Sequence, residues 1–189
     1  MSKNLTLARL GDVVAPETLL FSGSLIGETQ YSIYQIDPSF ETIRLVVSCA
    51  FPTGGTNNAL VMQFGMPVVG WWNTPGMYLN RHTLSVSPET GINAYDAPQN
   101  AYAVLGGGSD AGGYIDMDMR IYRHPNNPGR PITWNGHGPF RNTAAFGTVW
   151  IGGWCSGARS VGQMMDRFVL MWDTGVTFGG GQLTVIGCK

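Results

Sequence analysis

The chain has 189 residues, of which 43% are hydrophobic and 12% charged, and 11 Lys and Arg against 12 Asp and Glu give a formal net charge of −1. This length favours one domain with a substantial core, and the balanced charge supplies no basic field for nucleic acid or anionic lipid, so neither partner is expected. Because so few charges leave much of the surface neutral, we expect an oligomer or a component of a larger assembly.

Residues 1–17 are predicted to form an arm ahead of a domain that covers residues 18–189. The arm has no signal-peptide pattern and no apolar run near the roughly 18 residues that a membrane-spanning helix needs, so no membrane anchor is expected. A turn or two of helix is expected near residues 5–14, ahead of Pro16.

The rest of the chain is predicted to consist of short strands. Its 27 glycines and 11 prolines interrupt the sequence every ten or so residues, which leaves room for strands but not for amphipathic helices. Strict alternation is clearest in residues 113–123, where apolar residues alternate with polar ones. The strand segments are 18–25, 31–36, 41–49, 59–65, 101–105, 113–123, 132–135, 145–154, 167–173 and 182–187. About eight to ten strands without helices predict an all-β, antiparallel, jelly-roll-like sandwich.

Loops are expected at 52–58, 73–76, 106–113 and 125–131, with a further long connection at 135–143. The glycine-rich loop at 106–113 (GGGSDAGG) could suggest a phosphate cradle. Such cradles precede a helix and usually have a lysine nearby, whereas here a strand follows and no lysine is near. A flexible hairpin connection is therefore the favoured interpretation.

The metal- and redox-active residue types form no recognisable motif. The cysteines at 49, 155 and 188 are odd in number and far apart, which favours reduced thiols. The histidines at 82, 124 and 137 lack the spacing that would put two of them together on one element, and those at 124 and 137 are expected in loops. We predict no metal and no cofactor.

Two carboxylates give the one enzymatic alternative. Asp116 and Asp118 share a strand face, which puts their Cα atoms roughly 6.5–7 Å apart, a spacing compatible with glycoside hydrolysis. Outward polar residues are ordinary on such a strand, and Arg120 on the same face offers a neutralising neighbour. We therefore predict a protein that is not an enzyme, with a glycosidase as the less favoured alternative.

Aromatic residues give the candidate contact sites. Trp71, Trp72 and Tyr78 are candidates for contact with a glycan or another subunit, and at least one of the two adjacent indoles should lie near the surface because neighbouring strand residues point to opposite faces. Trp150 and Trp154 share one strand face and are expected in the core or at a subunit contact.

The order of segments from residue 18 to residue 187 resembles that of jelly-roll domains in virion proteins of tailed bacteriophages. Seven segments carry the resemblance: 18–24 (TLLFSGS), 31–34 (YSIY), 40–48 (FETIRLVVS), 59–65 (ALVMQFG), 113–119 (GYIDMDM), 161–172 (VGQMMDRFVLMW) and 177–187 (TFGGGQLTVIG). The last two are similar to the strand, glycine-rich turn and final strand that end those domains.

The resemblance implies a homotrimer on the exterior of a phage particle, made in the host cytoplasm. It implies a head-decoration (cement) or head-fibre protein that contacts the major capsid protein or other virion subunits, with residues 1–17 docking on the shell. It carries over no catalytic residue and no cofactor. The alternatives are a tail or tail-fibre protein and a carbohydrate-binding module that contacts a host glycan.

Overall fold

The chain forms strands and no helix throughout the part that the structure describes. A computed structural model describes residues 16–55, 58–66, 70–72, 78–87, 91–100, 102–109, 111–127, 130–141, 146–156 and 164–189. The helix expected near residues 5–14, and nearly all of the arm, lie outside these residues. In chain order the strands are β1 (Glu17–Ser24), β2 (Gln30–Ile33), β3 (Thr42–Pro52), β4 (Asn58–Met66), β5 (Gly70–Trp71), β6 (Tyr78–Ser87), β7 (Gly91–Asn100), β8 (Ala103–Ser109), β9 (Tyr114–Tyr122), β10 (Ile132–Arg141), β11 (Phe146–Cys155), β12 (Arg167–Trp172) and β13 (Phe178–Cys188).

The strands form two antiparallel sheets. The eight-stranded sheet has the order β1-β13-β3-β9-β10-β11-β6-β7. The five-stranded sheet has the order β2-β12-β4, and β5 and β8 pair with the other edge of β4. Every pairing is antiparallel, as expected for strands joined without crossover helices.

Eight of the strands are arranged as a jelly roll. In one sheet β1, β13, β3 and β9 are neighbours in that order, and in the other β2, β12, β4 and β8 are, so the first strand lies beside the last and the second beside the penultimate. The remaining strands are insertions: β5–β7 follow β4, and β10–β11 follow β9. The prediction of an all-β, antiparallel, jelly-roll-like sandwich is confirmed, but the described residues form thirteen strands where about eight to ten were expected.

The core lies between the two sheets and is filled by the inward residues of each strand. On β9, Ile115, Met117 and Met119 are buried while the two aspartates between them face outward, as the alternation predicted. Phe64 of the five-stranded sheet packs against Trp134 of the other, with ring centroids 5.6 Å apart. Aromatic side chains bury large apolar areas, so this contact contributes to the packing of one sheet on the other.

A buried arginine joins the end of β9 to two other segments. The Arg123 guanidinium donates hydrogen bonds to the carbonyls of Ile36 (3.2 Å), Asp37 (2.9 Å), Phe40 (3.1 Å) and Met165 (2.7 and 3.0 Å). Burial lowers the pKa of Arg123 to about 10, and nearby carboxylates oppose that shift. The side chain therefore stays charged at neutral pH and holds the β2–β3 connection against the segment before β12.

The expected strand boundaries are wrong in the inserted region. Strand β10 continues to Arg141, where a long connection was expected, so His137 lies in a strand and not in a loop. The glycines misled the prediction: Gly136 and Gly138 face inward against the β9 backbone, where a Cβ atom has no room. Similarly, β8 includes residues 106–109 of the expected glycine-rich loop, and it pairs with β4 instead of forming a hairpin with β9.

Candidate binding surfaces

Two of the three predicted contact aromatics lie in the core. Trp72 is 2% exposed and Tyr78 is 1% exposed. The Tyr78 hydroxyl donates to the Trp72 carbonyl (2.7 Å) and accepts from the Phe64 amide (2.9 Å), and burial raises the pKa of Tyr78. These bonds fasten β6 to β4, so neither ring can contact a glycan or another subunit.

Trp71 remains accessible, as the alternation of side chains at positions 71 and 72 required. Its ring packs at 5.9 Å from that of Tyr34, and the Arg167 guanidinium lies 5.3 Å from the Tyr34 ring centroid. Tyr34 is itself exposed beyond the end of β2. Trp71 is therefore part of a small aromatic patch at one side of the sandwich.

Strand β1 and the turn after it carry further exposed apolar residues. Leu19 on β1 and Ile26 in the turn after it are each 64% exposed. The rings of Phe21 on β1 and Tyr31 on β2 lie 4.7 Å apart, so these two strands are neighbours. We call the exposed apolar positions along them, Leu19, Ile26 and Tyr34, the β1–β2 margin. Among the described strands β1 pairs with β13 alone, so one row of its backbone donors and acceptors is open.

A second exposed apolar group lies on the outer face of the eight-stranded sheet. Trp150 and Trp154 are 45% and 38% exposed, and Phe146 follows on the same face of β11. Core placement of the two tryptophans, one of the predicted options, is therefore wrong. The space on the inward face of β11 is occupied by Trp134 of β10, whose ring lies directly over Gly153. The sequence signal was the small inward residues at 147 and 153, which leave the large side chains to the outer face.

A groove crosses the outer face from β11 towards β3. It consists of three adjoining depressions: one of about 470 Å³ between Trp150 and Trp154, one of about 400 Å³ between Trp154 and His124, and one of about 360 Å³ between His124 and Glu41. Trp154 is a wall of the first two, and His124 and Arg130 are walls of the last two. Thr133 lies directly opposite both Tyr122 on β9 and Trp154 on β11, so it forms the bottom of the path between these strands. We call this the aromatic groove.

Asp116 and Asp118 are held in structural contacts. The Arg44 guanidinium donates to both Asp118 oxygens (3.0 and 2.6 Å), which lowers the pKa of Asp118. Asp116 accepts a hydrogen bond from the Cys49 amide where β3 bulges. The ion-pair partner is thus Arg44 on the neighbouring strand and not the expected Arg120. A general acid for glycoside hydrolysis needs a raised pKa, so Asp118 does not suit that role.

The remaining reactive residues are dispersed. None of the three cysteines forms a disulfide, and all lie in strands, with Cys49 exposed and Cys155 buried. No group of three metal-binding side chains occurs among the residues that the structure describes. In the same residues, no helix is long and apolar enough to cross a membrane.

Comparison of the chain with protein-family models, with curated proteins and with solved structures found no match in any of the three. The β1–β2 margin and the aromatic groove are therefore the features from which a function is proposed.

Proposed function

We propose that the protein is a structural component of the exterior of a tailed-phage particle that acts by binding, as a homotrimer, to the major capsid protein or another virion subunit. The observation that carries the proposal is the β1–β2 margin, where Leu19, Ile26 and Tyr34 are exposed beside an open strand edge. Large apolar side chains grouped at an open edge are typical of surfaces that other chains cover.

The margin favours a closed assembly over an open fibre. In the β1–β13 pairing, Leu19 lies opposite Ile186 and Phe21 opposite Val185, so Leu20 is an extra residue in a β-bulge. A bulge twists an edge strand and interrupts its row of backbone groups, which opposes continuous strand pairing between copies. Copies of the protein would then associate by side-chain packing. When two different patches form the contact, the copies close into a ring if the rotation that relates neighbouring copies permits it.

The low charge of the chain supports the same role. With 12% charged residues, the surface lacks the dense charge that keeps monomers apart, and a permanently assembled protein does not need it. A decoration or head-fibre protein is the favoured role, and a tail or tail-fibre role is the alternative. The role requires no cofactor and no catalytic residue.

Light scattering coupled to size-exclusion chromatography tests the assembly. We expect a trimer for the unmodified protein and a shift towards monomer for Leu19→Asp, because the carboxylate would be desolvated in the contact. Asn135→Asp adds the same charge on the outer face, away from the margin, and should leave the trimer intact. A wild-type monomer at micromolar concentration would refute the proposal.

Electron microscopy of particles made with and without the protein tests its location. We expect density on the head exterior that is lost when the protein is omitted. Density on the tail would favour the alternative, and identical particles would show that the protein is not a virion component.

A further inference from the structure

We infer that the aromatic groove binds an uncharged glycan chain. This inference concerns the outer face of the eight-stranded sheet and does not depend on the assembly role proposed for the opposite margin. The tryptophans of the groove lie on β11, five strand spacings or roughly 24 Å from β1, whereas the polar end of the groove, at the start of β3, lies two spacings or about 10 Å from β1.

The shape of the groove suits a chain and not a compact molecule. Each of its three depressions falls within the roughly 300–1,000 Å³ of ordinary ligand pockets. Because they share walls, they form one path across β11, β10, β9 and the start of β3, about 14 Å from the first strand to the last. A linear ligand can place successive units in successive depressions.

The aromatic end supplies platforms for sugar rings. Trp150 and Trp154 are four residues apart on one strand face, so their Cα atoms lie about 13 Å apart. Between them lies Gly152, which has no side chain to fill the gap. A pyranose ring has an apolar C–H face that packs on an indole, while its hydroxyls point sideways to polar groups and water.

The polar end supplies donors and acceptors for those hydroxyls. His124, Arg130, Asn126 and Glu41 line it, so both hydrogen-bond donors and acceptors are present, as a hydroxyl, which does both, requires. A short turn positions them: the Asn127 amide donates to the His124 carbonyl and the Arg130 amide to the Asn127 carbonyl.

The charge of the groove selects an uncharged ligand. The residues that line the three depressions include one guanidinium, that of Arg130, and one carboxylate, that of Glu41, so their charges balance. A polyanion such as nucleic acid or a sulfated glycan gains its affinity from several unbalanced basic groups, which the groove does not offer.

A glycan array and calorimetry test the inference. The probes are uncharged oligosaccharides built from glucose, mannose, galactose, rhamnose or N-acetylglucosamine, with heparin as the polyanion. We expect the protein to bind at least one uncharged oligosaccharide, with little dependence on salt, and Trp150→Ala and Trp154→Ala each to weaken binding about tenfold or more. Phe146→Ala is the matched control, because Phe146 is an exposed aromatic of the same strand face outside the groove, and it should bind as the wild type does.

Four outcomes would overturn the inference: no uncharged oligosaccharide is bound, heparin is preferred, the control loses as much affinity as the tryptophan variants, or the tryptophan variants dissociate the oligomer. The last outcome would identify the groove as a subunit interface. Both tryptophans are partly exposed, so the variants should fold, and circular dichroism with a melting curve verifies that each one has.

Discussion

Replacement of Arg123 by methionine should destabilise the protein more than any surface substitution. Methionine fills similar space but donates no hydrogen bond, so the carbonyls of Ile36, Phe40 and Met165 lose the guanidinium that binds them. The Asp37 carbonyl keeps a second donor, the Phe40 amide. Each buried acceptor left without a partner costs about 1–3 kcal/mol.

The removal of a buried charge offsets part of that cost. The fall in the pKa of Arg123 from its ordinary value to about 10 corresponds to roughly 3 kcal/mol against the charged form, which methionine does not incur. Three orphaned carbonyls less this relief leave a net loss of about 0–6 kcal/mol, with a midpoint of about 3 kcal/mol. For a chain of this size, the midpoint corresponds to a fall in melting temperature of roughly 6–12 °C.

Thermal and urea unfolding of Arg123→Met measure the loss. Arg120→Met is the matched control, because Arg120 is exposed on β9, three residues before Arg123, and should change the free energy of unfolding by less than about 0.5 kcal/mol. Arg123→Lys keeps the charge but cannot reach four carbonyls from one ammonium, so its stability should be intermediate. If Arg123→Met is no less stable than the control, the carbonyl contacts do not hold the segments together.

Three further outcomes are expected. Asp118→Asn should lower the free energy of unfolding by at most about 1 kcal/mol above pH 4, because the ion pair with Arg44 is partly exposed. Since the pKa of Asp118 is lowered in the folded state, the difference from wild type should vanish as the pH falls through that pKa. A difference that persists at lower pH would contradict this origin. Gly138→Ala should lower the free energy of unfolding by about 2 kcal/mol or more, because the added Cβ would meet the β9 backbone. Gly152→Ala is the control: its Cβ makes only ordinary contact, so this variant should unfold nearly as the wild type does. Equal losses of stability in the two variants would argue against the close packing at Gly138. A thiol reagent should modify Cys49 quickly and Cys155 after unfolding, as followed by mass spectrometry, and equal rates in the folded protein would contradict the burial of Cys155.

The jelly-roll strands could be predicted from sequence because their alternation is nearly unbroken, as in β9. Strand β6 was missed since a core position on it is polar: Asn80 is buried, its side chain donating to the Tyr102 carbonyl and accepting from the Val104 amide. The amide thus acts as a backbone partner for β8, which no hydrophobic pattern reveals. Strand β7 contains Pro98, which the sequence rules read as a turn residue, but β7 is an edge strand in the described sheet and tolerates a missing donor.

The candidate binding residues were harder to predict because exposure of an aromatic depends on what fills the opposite face. Because Trp71 and Trp72 are adjacent in sequence, one of the two rings was expected to face outward, but the sequence does not show which one. In β11 the outward Trp150 and Trp154 alternate with inward Gly153 and Val149, and Gly153 is small because Trp134 of β10 lies over it. A strand with large aromatic residues on one face and small residues on the other is usually predicted to turn its aromatic face towards the core. In β11 the opposite holds, because Trp134 of the neighbouring strand fills the core side. The inserted pair β10–β11 therefore forms both this core contact and the exposed aromatic surface for which we propose a ligand.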